Sequence, residues 1–221
     1  MFNKKDETRD TYQLFVKQAQ LGYDWWWHSF TGVNEETGEE KQFFIEFFLC
    51  NPSLAQDKPT FGQLGEVPSY LMIKVGAWGM GKSQLHKFYP WKDIKVDMSS
   101  PFSISTPNCF LNEKKTYGSV TVTKDEANEK QYMCDSGHME WNLEIKKDIA
   151  FNVGYGASKI MRRLQLFEMF WHAQGMKTRF SGDLSYNGVH YTVSEDSSYG
   201  YADKNWDKRT TPRTQGMSPS W

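Results

Sequence analysis

The chain has 221 residues, enough for one large domain or two small ones, and its 26 Lys and Arg nearly balance its 27 Asp and Glu. This near-neutral charge, without a long Lys/Arg run, argues against a nucleic-acid binder, because such proteins carry an extended basic surface. Aromatic residues make up 16% of the chain at a mean hydropathy of −0.69, which is neither a disordered composition nor that of a chain spanning a membrane with apolar helices.

The first half of the chain predicts a short lead followed by two hairpins. Residues 1–22 are expected to form an amphipathic lead with a helical turn or two. Aromatic-rich runs predict strands over 23–30, which Gly22 and Gly32 bound, and over 41–50, which Asn51-Pro52 ends. A polar turn with Gly38 at its tip joins them. Two further strands are predicted over 70–75 and 84–89.

The second half predicts more antiparallel strands. Residues 97–112 are expected to be a loop, 117–123 and 138–145 strands, and 124–130 a charged turn between them. A short helix or a turn is predicted over 157–164, with a strand from about Phe167. Asn187-Gly188 between two alternating runs predicts a tight hairpin, because both turn positions need a positive φ. The sum is a mainly β protein, an antiparallel barrel or sandwich with one or two short helices.

One phosphate-binding pattern occurs, at residues 76–83 (GAWGMGKS), which match GxxxxGK[ST] after a strand. That loop works only when a helix follows it, because the N-terminal amides of the helix hold the phosphates. Here 84–89 has a strand pattern and Pro90 follows at once, which favours a Gly-rich hairpin. Nucleotide binding at 76–83 is therefore kept only as a second alternative function.

Cysteine and histidine positions predict neither a disulfide framework nor a metal site. Cys50, Cys109 and Cys134 are an odd number without short pairing, and the charged N-terminus lacks a signal peptide, so reduced thiols and a cytoplasmic location are expected. The five histidines have no metal-ligand spacing. We therefore predict no metal, no cofactor, no nucleic-acid partner and no integral membrane association; the oligomeric state is left open.

Glu46 is the first candidate for chemistry. On a strand it shares a face with Phe44 and Phe48, and a carboxyl between two rings should have a raised pKa, which suits a proton donor near neutral pH. The alternative is that Glu46 faces water or pairs with a lysine on the next strand.

Two further constellations lie near the C-terminus. Glu168 and His172 share a face on either a strand or a helix, and could move a proton or form a structural pair. Residues 199–206 (YGYADKNW) combine Tyr, Asp, Lys, Asn and Trp after a strand, as expected of a cavity mouth or of a polar corner between sheet edges.

The same segment resembles a known signature. Tyr201, Asp203, Lys204, Asn205 and Trp206 match the Tyr-x-(Asp/Glu)-Lys-Asn-Trp motif of the tocopherol cyclase-like family. The preceding FSGDLSYNGVHYTV resembles its strand-turn-strand, YDWWWHSF with FFIEFFLCNP resembles its early aromatic strands, and KVGAWG resembles a later strand and turn. The resemblance spans about residues 22–206. In the family a Gly usually follows the Trp, where Asp207 stands here, and a second β domain is common.

Membership of that family would imply a lipocalin-like, cavity-bearing β domain over 23–206, with 1–22 as a lead and 207–221 as a tail that truncation could have shortened. It implies relatives such as carotenoid hydratases and an apolar, isoprenoid- or quinol-like ligand that is cyclised or hydrated by an acid. The alternative is a non-catalytic binder of a hydrophobic small molecule.

The expected catalytic residues are Glu46 and Asp203. The expected ligand-binding residues are Trp25, Trp26, Trp27, His28, Phe44, Phe48, Glu168, His172, Tyr199, Lys204, Asn205 and Trp206.

Overall fold

The computed structural model describes residues 9–14, 22–52, 54–61, 66–79, 83–99, 101–128, 135–152 and 170–207. Several predictions fall outside this range and stay predictions: most of the lead, the helix or turn over 157–164, and the tail beyond Asp207. Glu168 and Cys134 are also outside it.

Within the described residues the chain forms thirteen strands, all paired antiparallel. They are β1 (Tyr23–Asn34), β2 (Glu40–Cys50), β3 (Tyr70–Ala77), β4 (Ser83–Tyr89), β5 (Lys95–Asp97), β6 (Ser103–Ser105), β7 (Cys109–Asn112), β8 (Lys115–Val122), β9 (Gly137–Asp148), β10 (Phe151–Asn152), β11 (Phe170–Tyr186), β12 (Val189–Val193) and β13 (Gly200–Asp207). A 3₁₀ turn covers Trp91–Asp93, and a short helix, α1, covers Lys124–Asn128.

The strands form one sheet that closes into a barrel. Its order is β4-β3-β2-β1-β12-β11-β9-β8-β7-β6-β5, and β13 pairs with β1 and β11 beside β12. At the seam, the Asp135 amide donates to the Gln84 carbonyl at 2.8 Å, and Lys87 pairs with Glu126 of α1 at 2.8 Å. The predicted mainly β, antiparallel fold is confirmed, and of the two architectures considered the barrel is the one that forms.

The barrel interior is packed with rings from neighbouring strands. Phe30 of β1 lies 5.1 Å from Phe180 of β11 and 6.1 Å from Phe43 of β2, measured between ring centroids. Phe43 in turn lies 4.9 Å from Tyr191 of β12. These side chains are almost fully buried, so the inward rings of β1 and β2 pack against one another and form part of the hydrophobic core.

Two local predictions are wrong. Residues 97–112 contain β6 and β7, which are too short to show alternation but bury Ile104 and Leu111 in the core. Residues 124–130 begin with α1 instead of a turn. The Glu126 amide donates to Thr123 Oγ1 at 3.1 Å and the Thr123 amide donates to Glu126 Oε2 at 2.8 Å, a reciprocal cap that the T-x-x-E spacing encodes.

Both hairpin predictions that depend on glycine are confirmed. Asn187 and Gly188 have φ of 51° and 83°, as the tight turn between β11 and β12 requires. Gly76 and Ala77 end β3, and Ser83 begins β4 and pairs with Ala77, where a phosphate-binding loop would need a helix. None of the described helices is long and apolar enough to cross a membrane.

Candidate functional site

Successive side chains along a strand face opposite sides, so the predicted site residues lie on two sides of the barrel wall. On β1, Trp26 and His28 are buried on the inner side, whereas Trp25 and Trp27 are half-buried on the outer side. On β2, Glu46 pairs with Trp27 and shares the outer side. The structure therefore contains an outer group and an inner group in place of the single site that the sequence suggested.

The outer side of the wall carries contiguous rings, which we call the outer aromatic layer: Trp25, Trp27, Phe44, Phe48 and Trp78. Trp27 stacks on Phe44 at 5.1 Å between centroids, Phe44 lies 4.9 Å from Trp78, and Trp25 meets Phe48 edge-on at 6.0 Å. Trp25 Nε1 is buried and makes no hydrogen bond within the part of the chain that the structure describes. The layer thus offers partly exposed ring surface and one free donor. Trp78 was missed by sequence reasoning, although it directly follows the β3 pattern.

Glu46 lies within this layer and is 1% exposed. Lys74, its partner on β3, places Nζ 3.6 Å from Oε2 and 5.8 Å from the centre of the Phe44 ring. Burial raises the pKa of Glu46 to about 7 even though the Lys74 charge acts in the opposite direction. Both interpretations of Glu46 therefore hold: it is a buried acid among rings, and it pairs with a lysine on the next strand.

Asp203 is a second carboxyl on the outer side, and it is half-buried. It stands opposite Trp27 on β13, so Trp27 separates it from Glu46, and two strand spacings place the two backbones about 10 Å apart. Burial raises the pKa of Asp203 to about 6, against hydrogen bonds from Tyr201, Trp171 and Asn205 that favour its charged form. Two carboxyls with raised and separated pKa values thus flank one indole.

The inner group is a buried ionic cluster at the end of the barrel where β13 meets β1. Lys204 forms an ion pair with Asp24, and its Nζ lies 4.0 Å from the centre of the Trp26 ring and 5.4 Å from that of Trp206. Burial lowers the pKa of Lys204 well below its usual value. Burial, with the nearby Lys147 charge, also lowers the pKa of His28 to about 3, so His28 is neutral near neutral pH.

His172 belongs to the inner group, but its described partner is not the one predicted. Its Nε2 lies 3.0 Å from Asp10 Oδ1, while Glu168 is outside the described residues. Asp10 was missed because no local motif marks it. Asn205, 7% exposed, lies beside Asp203, whereas Tyr199 is 82% exposed. Among the described residues no group of three or more His, Cys, Asp or Glu could hold a metal ion.

No protein-family model matches the sequence, and no curated protein matches it at a significant level. Among solved structures, one from Nitrosomonas europaea that is provisionally assigned as an AttH aligns at 12% identity and a TM-score of 0.46. The alignment covers 90% of this chain and 53% of the other, so the chain spans about half the length of that structure.

Proposed function

We propose that the protein binds an apolar, unsaturated small molecule, isoprenoid- or quinol-like, on the outer aromatic layer and that Glu46 protonates it for cyclisation or hydration. The observation that supports this most is a carboxyl that is 1% exposed, surrounded by rings and shifted to a pKa of about 7. About half of such a carboxyl is protonated at neutral pH, as general-acid catalysis requires.

The proposed reaction balances with the residues present. Glu46 donates its proton to one carbon of a carbon–carbon double bond, and the positive charge forms on the other carbon, where the face of Trp27 that does not stack on Phe44 stabilises a cation. A phenolic oxygen of the substrate, or a water molecule, then bonds to that carbon. Asp203, ionised above a pKa of about 6, takes the proton that this oxygen loses. Return of that proton to Glu46 through solvent restores the starting state.

The test uses a prenylated hydroquinone and an acyclic polyene as probes in deuterated water. Cyclisation or hydration by Glu46 should place one deuterium on carbon, detected by mass spectrometry after chromatographic separation. Glu46→Gln should abolish turnover without weakening binding, whereas Glu40→Gln, at the exposed start of the same strand, should leave turnover unchanged. Equal turnover in Glu46→Gln would remove Glu46 from this role, and binding without any conversion by the native chain would favour the non-catalytic alternative.

The pH profile provides a separate check. Activity needs Glu46 protonated and Asp203 ionised, so the rate should rise as pH increases through about 6 and fall as it increases through about 7. Asp203→Asn should remove the acidic limb of that profile. Binding itself is tested by Trp27→Ala, which should weaken the affinity for both probes, with Tyr117→Ala on the distant strand β8 as the control.

A further inference from the structure

Residues 9–14, which we call the N-terminal strap, lie against the inner group and are anchored there by several contacts. The Asp10 carbonyl accepts a hydrogen bond from Trp26 Nε1 at 2.8 Å, and the Gln13 amide donates to Asp24 Oδ2 at 2.7 Å. Leu14, 3% exposed, belongs to the hydrophobic core. The strap therefore inserts a polar group and an apolar group into the end of the barrel.

The polar group is the Asp10 carboxylate, which occupies a cationic site. One oxygen lies 3.2 Å from Lys147 Nζ of β9, and the other lies 3.0 Å from His172 Nε2 of β11. Burial opposes ionisation of Asp10, but Lys147 and His172 hold its pKa below the usual value. The site is thus built to hold a carboxylate, since without one the Lys147 charge would be buried with no counter-charge from the strap.

Unused hydrogen-bonding capacity is present on His172 itself, on His28, which interacts with the charges of Asp10 and Lys147, and on Gln174 of the same strand as His172. His28 Nδ1, His172 Nδ1 and Gln174 Oε1 are buried and make no hydrogen bond within the described ranges. All three residues are at most 1% exposed. Buried polar atoms without partners are uncommon, and here they could form hydrogen bonds with oxygen atoms or hydroxyl groups of a bound molecule.

A surface groove leads to the same site. It has a volume of about 540 Å³, and Asp10 and Lys147 line it together with Ile145, Ser181 and Glu144. Asp10 and Lys147 side chains are only 4% and 8% exposed, so they form its inner end. A molecule from solvent could therefore reach Lys147 at the position of the Asp10 carboxylate, which also lies 3.0 Å from His172.

We propose that Lys147 and His172 form a binding site for an apolar carboxylic acid and that Asp10 occupies this site as an internal competitor. The strap resembles such a ligand in chemistry, because Asp10 supplies the carboxylate and Leu14 supplies the apolar part. When the acid binds, the strap is displaced and the core volume filled by Leu14 becomes available to the apolar chain. This site lies on the inner side of the wall and shares no residue with the outer aromatic layer.

The test measures binding of cis-parinaric acid by fluorescence, with oleic acid and oleyl alcohol as competitors. Asp10→Asn removes the competing charge, raises the population of molecules with the strap displaced and should tighten binding by about tenfold or more. Lys147→Met should abolish binding in the Asp10→Asn background. Glu140→Gln, which changes an exposed carboxylate of the same strand outside the groove, should leave the affinity unchanged. Oleic acid should displace the probe, whereas oleyl alcohol should not.

Hydrogen exchange on the native chain gives an independent readout that needs no variant. Saturating oleate should speed exchange of the Gln13 amide, which is bonded to Asp24 in the free protein. Unchanged or slower exchange there would overturn the proposal. It would equally be overturned if neither the native chain nor Asp10→Asn bound parinarate, if Asp10→Asn bound it no more tightly, or if the alcohol competed as well as the acid.

Discussion

The buried Glu46 carboxyl should make the stability of the protein fall as pH rises. In the unfolded chain Glu46 ionises near its ordinary pKa of 4.5, but in the folded barrel burial holds the proton until about pH 7. The folded state therefore binds more protons between these values, and the free energy of unfolding decreases with pH in that window and levels off above it. Between about pH 5 and about pH 8 this one group should cost about 2–3 kcal/mol, since each pKa unit corresponds to about 1.4 kcal/mol.

Glu46→Gln removes the ionisation while keeping the shape, so its pH dependence isolates the effect. The free energy of unfolding of Glu46→Gln minus that of the native chain should increase by about 2–3 kcal/mol from about pH 5 to about pH 8, measured by urea denaturation. Any constant cost of leaving Lys74 with an amide partner cancels in this comparison. Glu40→Gln, exposed on the same strand, should show a flat difference. A flat difference for Glu46→Gln as well would mean that Lys74 keeps this carboxyl ionised throughout, and the acid role would fall with it.

Three further predictions concern packing and backbone strain, and thermal or urea unfolding tests each. Gly76→Ala should destabilise the β3–β4 hairpin by about 2–3 kcal/mol, because its Cβ would overlap the Ser83 carbonyl oxygen of β4. Gly79→Ala, whose Cβ would meet no atom of the described residues, should cost only the strain of its positive φ, and equal losses in the two variants would contradict this. Ile149→Asn should stabilise the protein by about 1 kcal/mol. Ile149 is 57% exposed and has a φ of 56°, a backbone conformation that asparagine tolerates better than isoleucine. A lower melting temperature of the variant would show that Ile149 is not strained. Thr116→Val should cost about 1–3 kcal/mol by leaving the buried Trp141 indole N–H without its acceptor, so an unchanged stability would show that another group replaces it.

Local rules explain which parts of the fold could be predicted from the sequence. Strands β1 and β2 were predictable because aromatic-rich runs favour strands, and the Asn187-Gly188 turn was predictable because turn chemistry acts over a few residues. The alternation of side chains along a strand would also have assigned Trp26 to the side opposite Trp25 and Trp27, since neighbours on a strand face opposite sides. Local rules would have found α1 through its Thr123 and Glu126 cap as well.

The inner cluster shows why the rest could not be predicted. Asp10 and Lys147 are separated by 137 positions, and only closure of the barrel brings them into contact. Nothing near Asp10 in the sequence distinguishes it from other charged residues of the lead. Glu46 was easier to find, because its ring neighbours lie within two positions on the same strand, although its pairing with Lys74 depended on the register between β2 and β3.

The pairing of the first long strand with the last one has a consequence for synthesis in the cell. Tyr23 of β1 pairs with Asp207 of β13, so one edge of β1 gains most of its hydrogen bonds only after nearly the whole described chain has left the ribosome. Until then the nascent sheet exposes an unpaired, ring-rich edge, and contacts this distant in sequence slow folding. The yield of folded protein in expression should therefore depend on temperature and on chaperones that shield nascent chains. This dependence should be stronger than the closed, well-packed native barrel would suggest.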